Sequence, residues 1–145
     1  MLKLNKKLEY ALISLKHLDL CGRSHLCSAK EITLHYAIPF DVTSRVLQKL
    51  AQAGWLRSEQ GPSGGYQIEW DVFPHKSLYE LVEVIEGRHA VVKCLIKDKD
   101  CPILSKCNVM SPMEKLNEEL KRFLSSIPVQ SLLTEPEKIQ EVVNV

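Results

Sequence analysis

Asp41-Val-Thr-Ser-Arg-Val-Leu-Gln-Lys-Leu-Ala-Gln-Ala-Gly-Trp-Leu-Arg-Ser-Glu-Gln-Gly-Pro-Ser-Gly-Gly-Tyr-Gln-Ile-Glu-Trp70 divides into two halves of different character. The first places Val42, Val46, Leu47, Leu50 and Ala53 on one helical face, with Asp41 as the cap and Gly54 as a left-handed stop. The second predicts two strands, Trp55–Gln60 and Tyr66–Trp70, around the turn-forming Gly61-Pro-Ser-Gly-Gly65. Just upstream, Ser28-Ala-Lys-Glu31 has the form of a capping box. The helix it opens, through Ile32 and Leu34, has to close before Pro39, because the residue preceding proline is pushed out of the α region. Two short helices on a tight turn, followed directly by a hairpin, describe a winged helix-turn-helix. Its second helix is expected in the major groove, with the glycine-rich wing tip near the backbone or the minor groove.

Further out, Leu4, Leu8, Ala11, Leu12, Leu15 and Leu18 recur at helical spacing behind Asn5, a cap, and predict a first helix over 6–20. Downstream, Ser77-Leu-Tyr-Glu80 opens another helix that stops at Gly87. Residues 88–108 show no periodicity and hold Cys94, Cys101 and Cys107. Ser111-Pro-Met-Glu114 then predicts a third capping box and a last long helix. On it Val109, Met113, Leu116, Leu120, Phe123 and Ile127 form a heptad seam, narrower than a core-facing stripe and suited to a dimer. The tail, with Pro128 and Pro136, is expected to fold back or fray. The fold class is mainly α with a small β-hairpin. Residues 1–75 are expected to form the winged-helix DNA-binding domain, 76–108 a linking helix and cysteine-rich loop, and 109–145 the dimerisation helix and tail.

The bulk composition fits this architecture. The 145 residues are 45% hydrophobic and 26% charged, which excludes a disordered chain and a collagen-like fibre. No stretch approaches eighteen uninterrupted apolar residues. Met1-Leu-Lys-Leu-Asn-Lys-Lys lacks a signal peptide's apolar region, so the expected location is the cytoplasm. The net charge of +1 does not by itself advertise nucleic acid, yet residues 1–30 carry six bases against two acids. Nothing resembles a dinucleotide fingerprint, a nucleophile elbow or Cys-x-x-Cys, which argues against an enzyme.

Five cysteines in a reducing compartment read as metal ligands, sensors or small buried hydrophobes rather than disulfides. Cys21 and Cys27 are assigned the last role. Cys94, Cys101 and Cys107 are spaced Cys-x6-Cys-x5-Cys, without the close pairs of a zinc knuckle. An iron–sulfur cluster, zinc, a thiol switch and inert cysteines all remain open on spacing alone. Lys93, Lys97, Lys99 and Lys106 stand ready to offset thiolate charge.

In this order, a winged helix, a three-cysteine loop and a dimerising helix resemble the IscR and NsrR family of bacterial transcription regulators (the Rrf-two family). The resemblance spans nearly the whole chain. It rests on Tyr10-Ala-Leu12, Val46-Leu-Gln-Lys-Leu-Ala-Gln-Ala-Gly-Trp-Leu56, Gly61-Pro-Ser-Gly-Gly-Tyr66, Leu81-Val-Glu-Val-Ile-Glu-Gly87 and the cysteine triplet. It implies a homodimer on a partly palindromic double-stranded DNA operator, with an iron–sulfur cluster at the dimer interface that reports redox, nitric oxide or iron–sulfur status. Some members place a histidine three residues after the last cysteine, where this chain has Met110. Others recruit a carboxylate from the first helix of the other subunit, and Glu9 matches that position, which leans toward 4Fe–4S over 2Fe–2S. His35 is a further candidate, since a related type uses a histidine from the helix-turn-helix. The matching DNA-contact positions are Pro39, Asp41, Val42, Thr43, Ser44 and Arg45, then Gln60, Pro62 and Ser63 on the wing. Arg45 can fork onto guanine, whereas Gln60 stands where relatives often carry a wing arginine. Lys3, Lys6, Lys7 and Lys30 would add phosphate attraction. The alternative is the same DNA-binding dimer with its cysteines binding zinc or acting as a thiol redox switch.

Overall fold

Asn5 opens the first helix, α1 (Lys6–Cys21), by accepting the Lys7 N–H on its side chain at 3.0 Å. The computed structural model describes residues 4–95 and 101–134. Leu8, Ala11, Leu15 and Leu18 of α1 are buried, while Leu4 is exposed and Leu12 half-buried. The chain continues through α2 (Ala29–Tyr36), α3 (Phe40–Gln52), β1 (Leu56–Glu59), β2 (Gly65–Ile68), α4 (Leu78–Glu86), α5 (Met110–Ser125) and a short α6 (Val129–Leu133). This is the winged helix-turn-helix with a long C-terminal helix that the sequence implies.

Local chemistry accounts for the boundaries and for several departures. Ser28 caps α2 by accepting the Glu31 N–H at 3.1 Å. The reciprocal half of the box is absent because the Glu31 carboxylate turns to His17, 3.3 Å away. Asp41 does not cap α3. The cap is Pro39, whose carbonyl accepts the Thr43 N–H, so Asp41 lies within the first turn. The buried face of α3 is correspondingly Thr43, Val46, Leu47 and Leu50, with Val42 only half-buried and Ala53 exposed. Gly54, at φ +78°, then reverses the chain and delivers Trp55 into the core, 1% exposed.

The hairpin strands are shorter than their sequence runs and pair antiparallel, Leu56 with Ile68 through to Glu59 with Gly65. A further backbone pair joins Cys27 to Tyr66, at 3.0 and 2.8 Å, and ties the start of α2 to the base of the wing. Gly65 makes this approach possible, since a Cβ there would lie 2.7 Å from the Cys27 carbonyl.

Ser77 and Glu80 form a complete capping box at α4. Leu78, Leu81, Val82 and Ile85 join the same core as Leu8, Leu15, Leu47, Leu50, Trp55 and Phe73. The third predicted box does not form: α5 begins at Met110 with Val109 at the cap position and no side-chain cap bond, so Ser111 is already helical. The heptad seam splits in two. Leu120 lines a cleft against Leu78 and Val82 of α4, and Leu124 and Ile127 pack on the core. Val109, Leu116 and Phe123, seven apart, stay 51%, 44% and 61% exposed. The tail does fold back: Leu78 N–H donates to the Ile127 carbonyl and Val129 N–H to the Lys76 carbonyl, both at 2.8 Å, and Val129 and Leu133 are buried. Residue 136 lies outside the described residues.

Candidate functional site

The solvent-exposed residues of α3 and of the wing tip make up the candidate DNA-facing surface. Pro39, Asp41 and Arg45 are exposed, Val42 and Ser44 are half-buried, and Gln60, Pro62 and Ser63 are exposed at the wing tip. Thr43 does not belong to it. Its side chain is fully buried with its hydroxyl unpartnered, so it faces the core rather than a duplex. Phe40, 52% exposed at the first turn of α3, is an apolar neighbour of this surface that sequence reasoning passed over. The wing tip is shaped by Gly64, where a Cβ would come within 2.2 Å of the Glu59 carbonyl oxygen. At its root Arg57 donates to Gln67, whose amide in turn donates to the Arg23 carbonyl, which aligns the guanidinium across the hairpin. A polar cleft of about 210 Å³ lies between the wing and the start of α2, bordered by Ser28, Ser58 and Gln60.

The cysteine loop follows α4. Cys94, Cys101 and Cys107 are free thiols of intermediate exposure. Short turns hold them: Cys94 is in a 3₁₀ turn (Lys93–Leu95), and Cys101 and Cys107 flank another (Leu104–Lys106). Lys97 and Lys99 lie outside the described residues. The Val91 N–H donates to Asn117 Oδ1 at 3.2 Å, anchoring the loop on α5. Beside it, the amino end of α1 opens on a cleft of about 360 Å³ bordered by Leu8, Tyr79, Val82, His89, Asn117 and Leu120. Glu9 is half-buried near that end and pairs with Lys6 at 2.7 Å.

The three thiols could serve as cluster ligands or as a thiol switch. Among the described residues, one group of histidine, cysteine and carboxylate donors gathers within the span of a single ion, and it does not include Cys94, Cys101 or Cys107. A multi-iron cluster takes its thiolates on different irons and tolerates wider spacing. Three reduced, partly accessible thiols on one loop satisfy the donor chemistry.

The group that does gather was not foreseen. Cys27 is fully buried as expected, but Cys21 is only half-buried, and both lie against His17 and Glu31. Burial, and then the neighbouring Cys21 and Glu31, push the Cys27 thiol well up from its ordinary value. The only sequence signal is a pair of four-residue spacings, His17 to Cys21 and Cys27 to Glu31, on opposite sides of a loop. His35 is exposed and lies beside this group, its ring tilted against His17 at 5.6 Å and edge-on to Tyr36 at 4.6 Å.

A helix-turn-helix with a hairpin wing, buttressed by α4 and trailed by a long amphipathic helix, defines a winged-helix DNA-binding regulator. The chain belongs to the Rrf2 family, whose model, described as an iron-dependent transcriptional regulator, matches residues 4–135. It is 24% identical over 139 residues to the HTH-type transcriptional regulator IscR of Vibrio vulnificus, covering 96% of this chain and 82% of that one. Its fold is similar to that of CymR (YrzC), the global cysteine regulator of B. subtilis, at a TM-score of 0.66 and 21% identity over 92% of this chain and 97% of that one. It is also similar to T. potens IscR, at a TM-score of 0.65 and 21% identity over 96% and 91%. The relatives are regulators rather than enzymes, and among the described residues no helix is long and apolar enough to cross a membrane.

Proposed function

We propose that the protein is a homodimeric transcription regulator that binds a partly palindromic operator and reads redox, nitric oxide or iron–sulfur status through a cluster at its dimer interface. Cys94, Cys101 and Cys107 would hold the cluster, with Glu9 of the partner subunit as the fourth ligand. When bound, the cluster supplies a centre that oxidants and nitric oxide can modify. The carrying observation is the coincidence of three free, part-exposed thiols on one loop anchored to α5, the helix with an unpartnered apolar stripe. Residues 1–75 would bind DNA, 76–108 would hold the cluster, and 109–145 would pair the subunits.

The chain's own residues divide the work. Arg45 would read a base edge, with Asp41, Val42 and Ser44 beside it and Pro39 setting the helix entry. Gln60, Pro62 and Ser63 would place the wing against the backbone or the minor groove. Glu9 is a hard oxygen donor on a metal that prefers thiolate, so its bond would be the one most readily lost, which suits a sensor. Its ion pair with Lys6, at 2.7 Å, is surface-exposed and easily exchanged.

The test is the visible spectrum of anaerobically purified protein, with iron and sulfide counts. A broad absorption band with about four irons and four sulfides per chain supports the cubane ahead of 2Fe–2S. A chain that stays colourless after anaerobic reconstitution would leave the regulator fold with its loop acting as a thiol switch.

A further inference from the structure

We propose a second metal centre in the DNA-binding half of the chain, a four-donor site for Zn²⁺ or a similar borderline dication formed by His17, Cys21, Cys27 and Glu31. One ligand atom from each lies within 4.8 Å of the others. Two thiols, an imidazole and a carboxylate match the donor types that zinc takes in a four-coordinate site. The set shares no residue with the loop of Cys94, Cys101 and Cys107.

The geometry is built by ordinary helix chemistry. His17 and Cys21 are one turn apart on the last turns of α1, so they share a face. Cys27 precedes the Ser28 cap of α2, and Glu31 occupies its first turn. The carboxylate is free to turn inward because the capping box is half-made, as described above. Tyr36 supplies the outer support: its hydroxyl lies 3.0 Å from His17 Nδ1, leaving Nε2 directed at Glu31, 3.3 Å away. A metal-bound imidazole usually has this kind of partner on its second nitrogen. Without metal, protons join the same atoms: Nε2–H can donate to Glu31 while the tyrosine hydroxyl donates to Nδ1. Loading would move the imidazole proton to Nδ1 and release the two thiol protons to solvent. His25, exposed and 4.0 Å from Glu31, stands at the mouth.

The placement gives such a site leverage. It joins the carboxyl end of α1 to the start of α2, and the Cys27–Tyr66 backbone pair extends that junction to the wing. Occupancy would therefore stiffen the helix-turn-helix and the wing as one unit, independently of the cysteine loop.

The experiment is anaerobic titration of chelator-stripped Cys101→Ala chain with Co²⁺, then Zn²⁺. The expected result is one Co²⁺ per chain with thiolate-to-cobalt charge-transfer and tetrahedral d–d absorption, bleached by an equivalent of Zn²⁺. Adding Cys21→Ser abolishes the charge-transfer band, and adding Tyr36→Phe, which removes no ligand, weakens affinity by about tenfold. Zn²⁺ raises the Tm of the Cys101→Ala chain but not of its Cys21→Ser derivative. A reduced, folded Cys101→Ala chain without the cobalt band overturns the proposal, as does a band that Cys21→Ser leaves intact. Because Cys21 is only half-buried, circular dichroism will separate loss of ligand from loss of fold.

Discussion

The ammonium of Lys49, in the last turn of α3, donates to the backbone carbonyl of Ile85, near the end of α4, at 2.8 Å. Carbonyls in the last turn of a helix lack intrahelical partners, and a cation is favoured there. The contact joins the second helix of the helix-turn-helix to the helix that leads into the cysteine loop.

Lys49→Met keeps the aliphatic stem and removes the charge. Urea unfolding should show a loss of about 1–2 kcal/mol. The same variant should narrow the difference in operator affinity between cluster-loaded and cluster-free protein, measured by fluorescence anisotropy. An unchanged ratio would show that the two sites communicate by another route.

The capping box of α4 predicts a pH dependence. Burial pulls the Glu80 carboxyl up, but the Ser77 backbone N–H, the Lys76 ammonium and the Ser77 hydroxyl outweigh it and hold it below its ordinary value. Its contribution to stability is therefore complete above the unfolded-state pKa and is lost as pH falls through the lower folded one. Glu80→Ala should cost about 1 kcal/mol at neutral pH. Glu80→Gln should keep most of the box and flatten the acid limb of the stability profile.

Arg45 and Thr43 are two residues apart on α3 and should behave oppositely. Arg45→Ala is expected to weaken operator binding by about 1–3 kcal/mol and to relax selectivity at one base pair, without changing Tm. Thr43→Val removes a buried hydroxyl that has no partner, so stability should rise by about 1 kcal/mol with operator affinity unchanged.

Leu116→Glu and Phe123→Glu place charge on the exposed stripe of α5. Sedimentation should show monomers in place of dimers, with far-ultraviolet circular dichroism preserved because neither side chain is part of the monomer core. Dimers that persist would place the interface elsewhere.

Cys101→Ala should abolish cluster absorbance. Glu9→Ala should give a cluster that assembles anaerobically and is lost several-fold faster in air, at about the factor expected for losing a weak ligand. A Glu9→Ala cluster as durable as the native one would remove that residue from the ligand set.

Much of this molecule was legible in its sequence because the deciding signals are local. Gly54, Gly61, Pro62, Gly64 and Gly65 punctuate the chain, and Ser28 and Ser77 announce their helices. The errors arise where one local rule competes with another. Pro39 pre-empted Asp41 as a cap, because its carbonyl already serves Thr43. Glu31 was drawn off its box by His17. The heptad on α5 reveals its period but not which half meets the same chain, since Leu120 and Leu116 are equally apolar. The His17 group was hidden for a different reason: its donors sit on two helices and a loop, and only the fold brings them together.

The two hydrogen bonds between residues 76–78 and 127–129 fasten together the ends of everything between them. Between the clasped ends, α4 is seated in the core, and the chain that follows it through the cysteine loop comes back against the body at Leu120, Leu124 and Ile127. A single cut in the loop would leave both halves of the polypeptide attached to the body. Both ends of the segment that bears the cysteines are therefore held against the same core that carries α3.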